Sequence, residues 1–240
     1  MTNTTTIALK EFKSYLASPM AYVVTGIFLA ITGIFFSFFG PTATATFSET
    51  SLRGFLQAGS ILLLLFAPLL TMRLLAEERK MGTMELLLTA PVRDSEIILG
   101  KFFGSLFIVI AMLVLTFYYP ILLMAFGDPD IGPMVTGYLG LFLLGSTSLA
   151  VGIFASSLTS NQIVAAVVSG AILLALYFIG IAADSLPEAL GEVIGFFSLA
   201  TYFPDFMRGI IDTRGIIYYL SLTTLFLFLA IRSLDNSRWS

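Results

Sequence analysis

FFGSLFIVIAMLVLTFYYPILLMAF, residues Phe102–Phe126, contains no Asp, Glu, Lys or Arg, and its length decides the class of fold. A helix needs roughly 20 mostly apolar residues to cross a hydrocarbon core about 30 Å thick. Five further stretches are equally free of charge: Ala21–Phe39, Phe55–Met72, Val135–Phe154, Val164–Ala183 and Ile216–Ile231. The last is the shortest, and Tyr218 and Tyr219 suit an interfacial start to it. A helix of a soluble domain would end its apolar run after about 10–14 residues and show a polar stripe. These runs are apolar all round, and in hydrocarbon each segment must satisfy its own backbone, so they are helices; a barrel would alternate. The expected fold is all-α, a polytopic membrane protein with six transmembrane helices in one domain over residues 1–240.

The residue inventory removes whole classes of chemistry. Cys is absent, so no disulfide, thiol nucleophile or cysteine metal site exists; His is absent too, which removes the commonest general base and metal ligand. No carboxylate lies inside a span, so an intramembrane protease or a metal site has nothing to be built from. The same absence counts against an ion-coupled secondary transporter, which normally buries an ionisable residue at midplane, although carbonyls and hydroxyls alone can hold Na⁺. Gly100-Lys101 is a poor phosphate loop, with Ser95 where the first Gly belongs and Phe102 in place of Ser or Thr.

The loops fall into two groups by charge. The N-terminus, Arg73–Lys101, Ala155–Ile163 and the C-terminus hold nine of the twelve Lys and Arg residues. The other group holds only Arg53, Arg208 and Arg214, beside eight carboxylates from Glu49 to Asp212. The positive-inside rule therefore places both termini in the cytoplasm. Ala43-Thr44-Ala45 imitates a signal-cleavage site, but the preceding 19-residue run is too long for one, so an uncleaved first span is expected. Before it, Ala8, Phe12, Tyr15 and Leu16 share one helical face, which predicts an interfacial helix over residues 1–20.

The segment Arg73–Lys101 stops behaving like a lipid-embedded chain. Arg73–Lys80 continues the second span into water, and Gly82 can take a positive φ and stop the helix. Thr83 can cap a short helix that follows, Met84–Thr89, ended by Ala90-Pro91. Asp94 is then expected to cap a helix running into the third span. Leu86, Leu87 and Leu88 on the short element either dock a partner protein or fold back onto the helix ends; both readings fit the residues.

Glu77–Pro91, EERKMGTMELLLTAP, resembles the first cytoplasmic loop of type-2 ABC transporter permeases, and its E-E-x-x-x-G-T-x-E-L-L core is moderately specific to that class. Lys10–Val23 and Phe206–Arg214, followed by Tyr218 and Ser221, are similar to the two ends of the gliding-motility-associated permease subfamily. The resemblance implies a membrane permease subunit whose loop carries a coupling helix seated in a separate ABC ATPase subunit. It assigns the ATPase-coupling role to Glu78, Gly82, Thr83, Glu85, Leu86 and Leu87. It implies that the partner, not this chain, binds ATP and Mg and that this chain binds no cofactor. It also implies a second permease copy or paralogue, and a re-entrant segment in the outer loop 184–215 carrying Phe196 to Met207. An envelope or periplasmic auxiliary partner fits this setting, and nucleic acid does not. Export of a substrate, transmission of force to an envelope partner, and a non-transporting scaffold all remain compatible with the residues. Ser148-x-x-x-Gly152-x-x-x-Ser156 and Ala166-x-x-x-Gly170 mark close helix contacts, within one subunit or between two.

Topology has a direct test, because the chain lacks Cys. With single cysteines at Ser95 and Asp128, an impermeant thiol reagent should label position 128 from outside and leave position 95 unlabelled. The reverse pattern would invert the topology.

Overall fold

A computed structural model describes residues 3–39, 52–84, 92–127, 129–183, 187, 191 and 194–236. Among them the chain is helical and forms no strand, with six helices long and apolar enough to span a membrane. In chain order the helices are α1 Asn3–Ala17, α2 Pro19–Phe39, α3 Arg53–Thr71, α4 Arg73–Lys80 and α5 Asp94–Leu115. They continue as α6 Tyr118–Phe126, α7 Ile131–Ser157, α8 Gln162–Ala183, α9 Leu199–Met207 and α10 Thr213–Asn236.

The second and third spans are longer than their apolar cores. Arg53–Lys80 runs 28 residues through α3 and α4, and Asp94–Phe126 runs 33 through α5 and α6. At 1.5 Å per residue these are rods of about 42 and 50 Å, well beyond the hydrocarbon thickness. The excess puts charged ends such as Arg79, Lys80, Asp94 and Glu96 outside the apolar layer.

The fourth span, α7, is the hub of the bundle. In its apolar stretch 83% of residues are buried, against 28% in the first span and 17% in the fifth. Small residues let its neighbours approach. A Cβ at Gly152 would collide with Thr71, one at Gly137 with Leu56, and one at Gly140 would stand 2.9 Å from Phe206. Ser148, Gly152 and Ser156 therefore mark a contact within the subunit. A Cβ at Gly170 would meet nothing within 4 Å, so no close approach requires glycine there.

The expected N-terminal helix is present as α1. Its Ala8 and Tyr15 are buried, but Leu16 faces out. It lies alongside the start of α5 in the same direction: Asn3 meets Glu96, Ile7 meets Gly100, Glu11 meets Gly104, and Phe12 meets Phe107. Gly100-x-x-x-Gly104 is the seam, since a Cβ at either position would come within 2.7 Å of Ile7 or 2.6 Å of Glu11. The cap of α5 differs from the sequence expectation. Arg93, not Asp94, is the N-cap, and Glu96 reaches back to accept from its N–H at 3.0 Å. Three-residue spacing lets Glu96 close this ring, while Asp94 sits already inside the first turn.

The segment between the fifth and sixth spans packs against the bundle. Helix α9 starts at Ser198, whose hydroxyl accepts from the Ala200 N–H at 3.1 Å, and buries Leu199, Phe203 and Phe206. Phe206 packs on Gly140, nine residues into α7, and Tyr219 on α10 donates to Leu199 O at 2.8 Å.

The glycine seam makes a clean prediction. Gly104→Leu should lift α1 from α5, overpacking the contact at a cost of about 1–3 kcal/mol. Cysteines at Phe12 and Phe107 should crosslink readily in the parent chain and poorly in the variant. Equal crosslinking would mean that α1 is not seated on this seam.

Candidate functional site: the joint at the base of the second span

Pro68 has no N–H to give Leu64 O, so the backbone ladder of α3 is already one bond short near its end. The next irregularity comes four residues later. At Met72 the backbone is still helical (φ −54°, ψ −32°), but the hydrogen bonds slip. Ser156 of α7 inserts its hydroxyl there, accepting from the Leu75 and Ala76 N–H groups at 3.1 Å and donating to Met72 O at 3.0 Å. A side chain inserted into the ladder is a recognised cause of helix bending. On the other side Tyr15 of α1 donates its hydroxyl to Leu70 O at 2.7 Å. Burial pushes the Tyr15 phenol pKa up despite the nearby Arg73 guanidinium, so it remains a neutral donor. Arg73 lies over the Tyr15 ring at 4.7 Å and donates to Ser18 Oγ at 2.8 Å. The start of α4 is thus held by α7 on one side and by α1 on the other.

One turn further along α4 comes the only ion-pair cluster among the described residues that is buried. Lys101 of α5 is 1% exposed and donates to Glu78 Oε1 at 2.7 Å and to Glu11 Oε1 at 2.9 Å. Glu78 comes from α4 and Glu11 from α1, so one ammonium joins three helices. Burying an ammonium costs several kcal/mol unless carboxylates with good geometry surround it. Two acceptors below 3 Å surround the ammonium and leave the cluster with a net charge of −1, while Glu78 Oε2 is buried with no hydrogen-bond partner among the described residues.

Beyond the joint, α4 ends at Lys80, Gly82 adopts φ +71°, and its N–H donates to Arg79 O at 3.2 Å. The positive φ is the reason for glycine at this position. The Thr83 hydroxyl donates back to Glu78 O at 3.3 Å, closing the end of α4, and the N–H groups it is expected to cap lie outside the described residues. The proposed coupling residues therefore separate. Glu78 faces inward onto Lys101, while Gly82 lies in the exposed turn and Thr83 is exposed just after it. Glu85, Leu86 and Leu87, with most of the segment expected to form the short helix, lie outside the described residues.

Sequence reading missed Lys101, Glu11, Tyr15 and Ser156 as parts of this joint. Lys101 was counted as a topology marker, although a cation just inside a long helix with carboxylates on neighbouring elements was a usable signal. The pairing itself spans 90 residues to Glu11 and 23 to Glu78, which no local pattern encodes.

Six long apolar helices, one of them a buried hub and two prolonged past the apolar layer, make this a multi-pass membrane protein. A family model described as ABC-2 family transporter protein matches residues 5–229, and the chain belongs to that family. It is accordingly a membrane permease subunit of an ABC transporter, a kind that works in general with an ABC ATPase. Comparison with individual curated proteins gives no match.

The ion cluster can be tested by substitution. Lys101→Met leaves two carboxylates buried without a counter-charge and should destabilise the chain by about 3–5 kcal/mol. Adding Glu11→Gln and Glu78→Gln should restore most of that loss in thermal unfolding of the purified protein. If Lys101→Met alone unfolds like the parent, the cluster holds nothing together.

Proposed function

We propose that the Arg73–Lys101 loop couples this permease to a separate ABC ATPase, and that movement imposed there enters the bundle through α4. The observation that supports the reading best is the Lys101 cluster. A load on the turn at Gly82 acts on a helix whose Glu78 lies 2.7 Å from Lys101 of α5, and the same ammonium holds Glu11 of α1 at 2.9 Å. Displacing α4 therefore drags the start of the third span and the N-terminal helix along, because separating the ions costs more than moving the helices. Glu78 serves inside the joint, whereas Gly82, Thr83, Glu85, Leu86 and Leu87 form the part offered to the partner. ATP and Mg belong to that ATPase, and this chain contributes translocation only within the complex. The ends of the chain, similar to the gliding-motility-associated subfamily, support placing it there. A second permease, identical or paralogous, would complete the complex in a bacterial inner membrane, with both termini cytoplasmic.

Gly82→Val tests the coupling without touching a span. No neighbouring atom lies within 4 Å of the added Cβ, so the effect is purely conformational. A β-branched residue at φ +71° costs about 1–3 kcal/mol and should redirect the chain that follows. Glu85→Lys reverses a charge on the same segment. Both variants should insert and express normally, yet lose ATPase copurification or ATP-dependent transport. Wild-type binding and activity in both would remove this loop as the coupling element.

A further inference from the structure

At the end of the bundle opposite the Lys101 joint, α2, α3 and α9 leave an open cleft of about 440 Å³. Its walls include Phe35, Arg53, Gln57, Pro204, Met207 and Arg208. We propose that this cleft binds a phosphate-bearing anionic amphiphile, with Arg53 and Arg208 on the phosphate and the apolar part along Phe35 and Met207.

The charge distribution is the first ground. This side of the chain has three cationic residues against eight carboxylates, yet two of the three cations line this one cleft. They come from elements about 155 residues apart in sequence, so the fold, not local composition, brings them together. Arg208 also faces Asp205, but at 3.9 Å with both side chains partly exposed, which is a weak pair. A guanidinium has five donors in a planar fork, so such a pair leaves capacity for a multi-oxygen anion.

Backbone geometry adds to this. Arg53 opens the 19-residue helix α3, and Leu52 before it supplies no side-chain cap. The first-turn N–H groups and the positive end of the helix dipole thus lie beside Arg53, an arrangement suited to phosphate.

The cleft is also amphipathic. Phe35 is 40% exposed at the outer end of α2, and Pro204 and Met207 are half-buried on α9. A small hydrated anion gains nothing from such walls, whereas a headgroup carrying an acyl chain does. A volume of about 440 Å³ holds a phosphate headgroup and the first carbons of a chain, with the remainder in the membrane.

The experiment uses the purified full-length permease without any ATPase, so its failure is separate from failure of the coupling assignment. Native mass spectrometry reads retention of phosphatidylglycerol against phosphatidylcholine. The parent should prefer the anionic lipid, and R53Q/R208Q should lower its retention about tenfold or more. R214Q, which removes the third cation of that side from outside the cleft, should behave like the parent. A millimolar excess of inorganic phosphate separates the sources: failure to displace the lipid identifies an amphiphile site, and complete displacement identifies free phosphate and overturns the apolar half of the proposal. Unchanged retention in R53Q/R208Q, or an equal loss in R214Q, overturns the site itself. Thermal unfolding like the parent's confirms that the variants are folded, as expected for exposed side chains.

Discussion

Lys101 places an ammonium where almost no solvent reaches it, and the base of the bundle is arranged around that charge. Two carboxylates lie within 3 Å of it, each from a different helix. In a region of low dielectric such a charge cannot be abandoned, so α1 and α4 must stay wherever the start of α5 goes. The α1–α5 glycine seam serves the same end. Without the close approach allowed at Gly100 and Gly104, Glu11 would stand too far out to reach the ammonium. Packing and electrostatics at this site are thus one arrangement, since steric room on α5 sets the distance over which the ions act.

A second constraint governs the breaks in the spans. Hydrocarbon offers no hydrogen bonds, so a helix interrupted there needs a replacement partner from the protein. At two of the breaks the chain supplies a hydroxyl. At Met72 it is Ser156, assisted by Tyr15 at Leu70. In the third span, Pro120 withholds the N–H that Thr116 O would accept, and Tyr138 donates its hydroxyl to that carbonyl at 2.9 Å. Both interruptions are satisfied by a neighbouring helix, so each ties a flexible point to the hub α7. A bend at either point can change angle only as α7 allows.

The lipid-facing pattern follows from the hub. Because α7 takes the small residues and the buried positions, the first and fifth spans keep most of their apolar surface outward. Gly170, with open space around it, lies on that outward surface of α8. The two ends of the bundle also differ in character. The end with the Lys101 joint buries a paired ammonium, while the opposite end places Arg53 and Arg208 along an open cleft.

The number of spans, their helical nature and the positive φ at Gly82 could be read from residues alone. Run length against membrane thickness, backbone self-satisfaction and the steric freedom of glycine are local physics, complete within about 20 neighbours. The apolar character of α9 was legible too, because Leu199, Phe203 and Phe206 lie within one short segment. The roles of Glu78, Thr83 and Ser156 were not legible in the same way. Glu78 reads as a solvated charge until Lys101 is placed 2.7 Å away, and Ser156 reads as one small residue in a stripe until Met72 is placed beside it. A charge or hydroxyl has no fixed meaning in a sequence, because its energy depends on which partner and how much water the fold puts next to it. That is why the spans belonged to the sequence and the joint between them only to the tertiary structure.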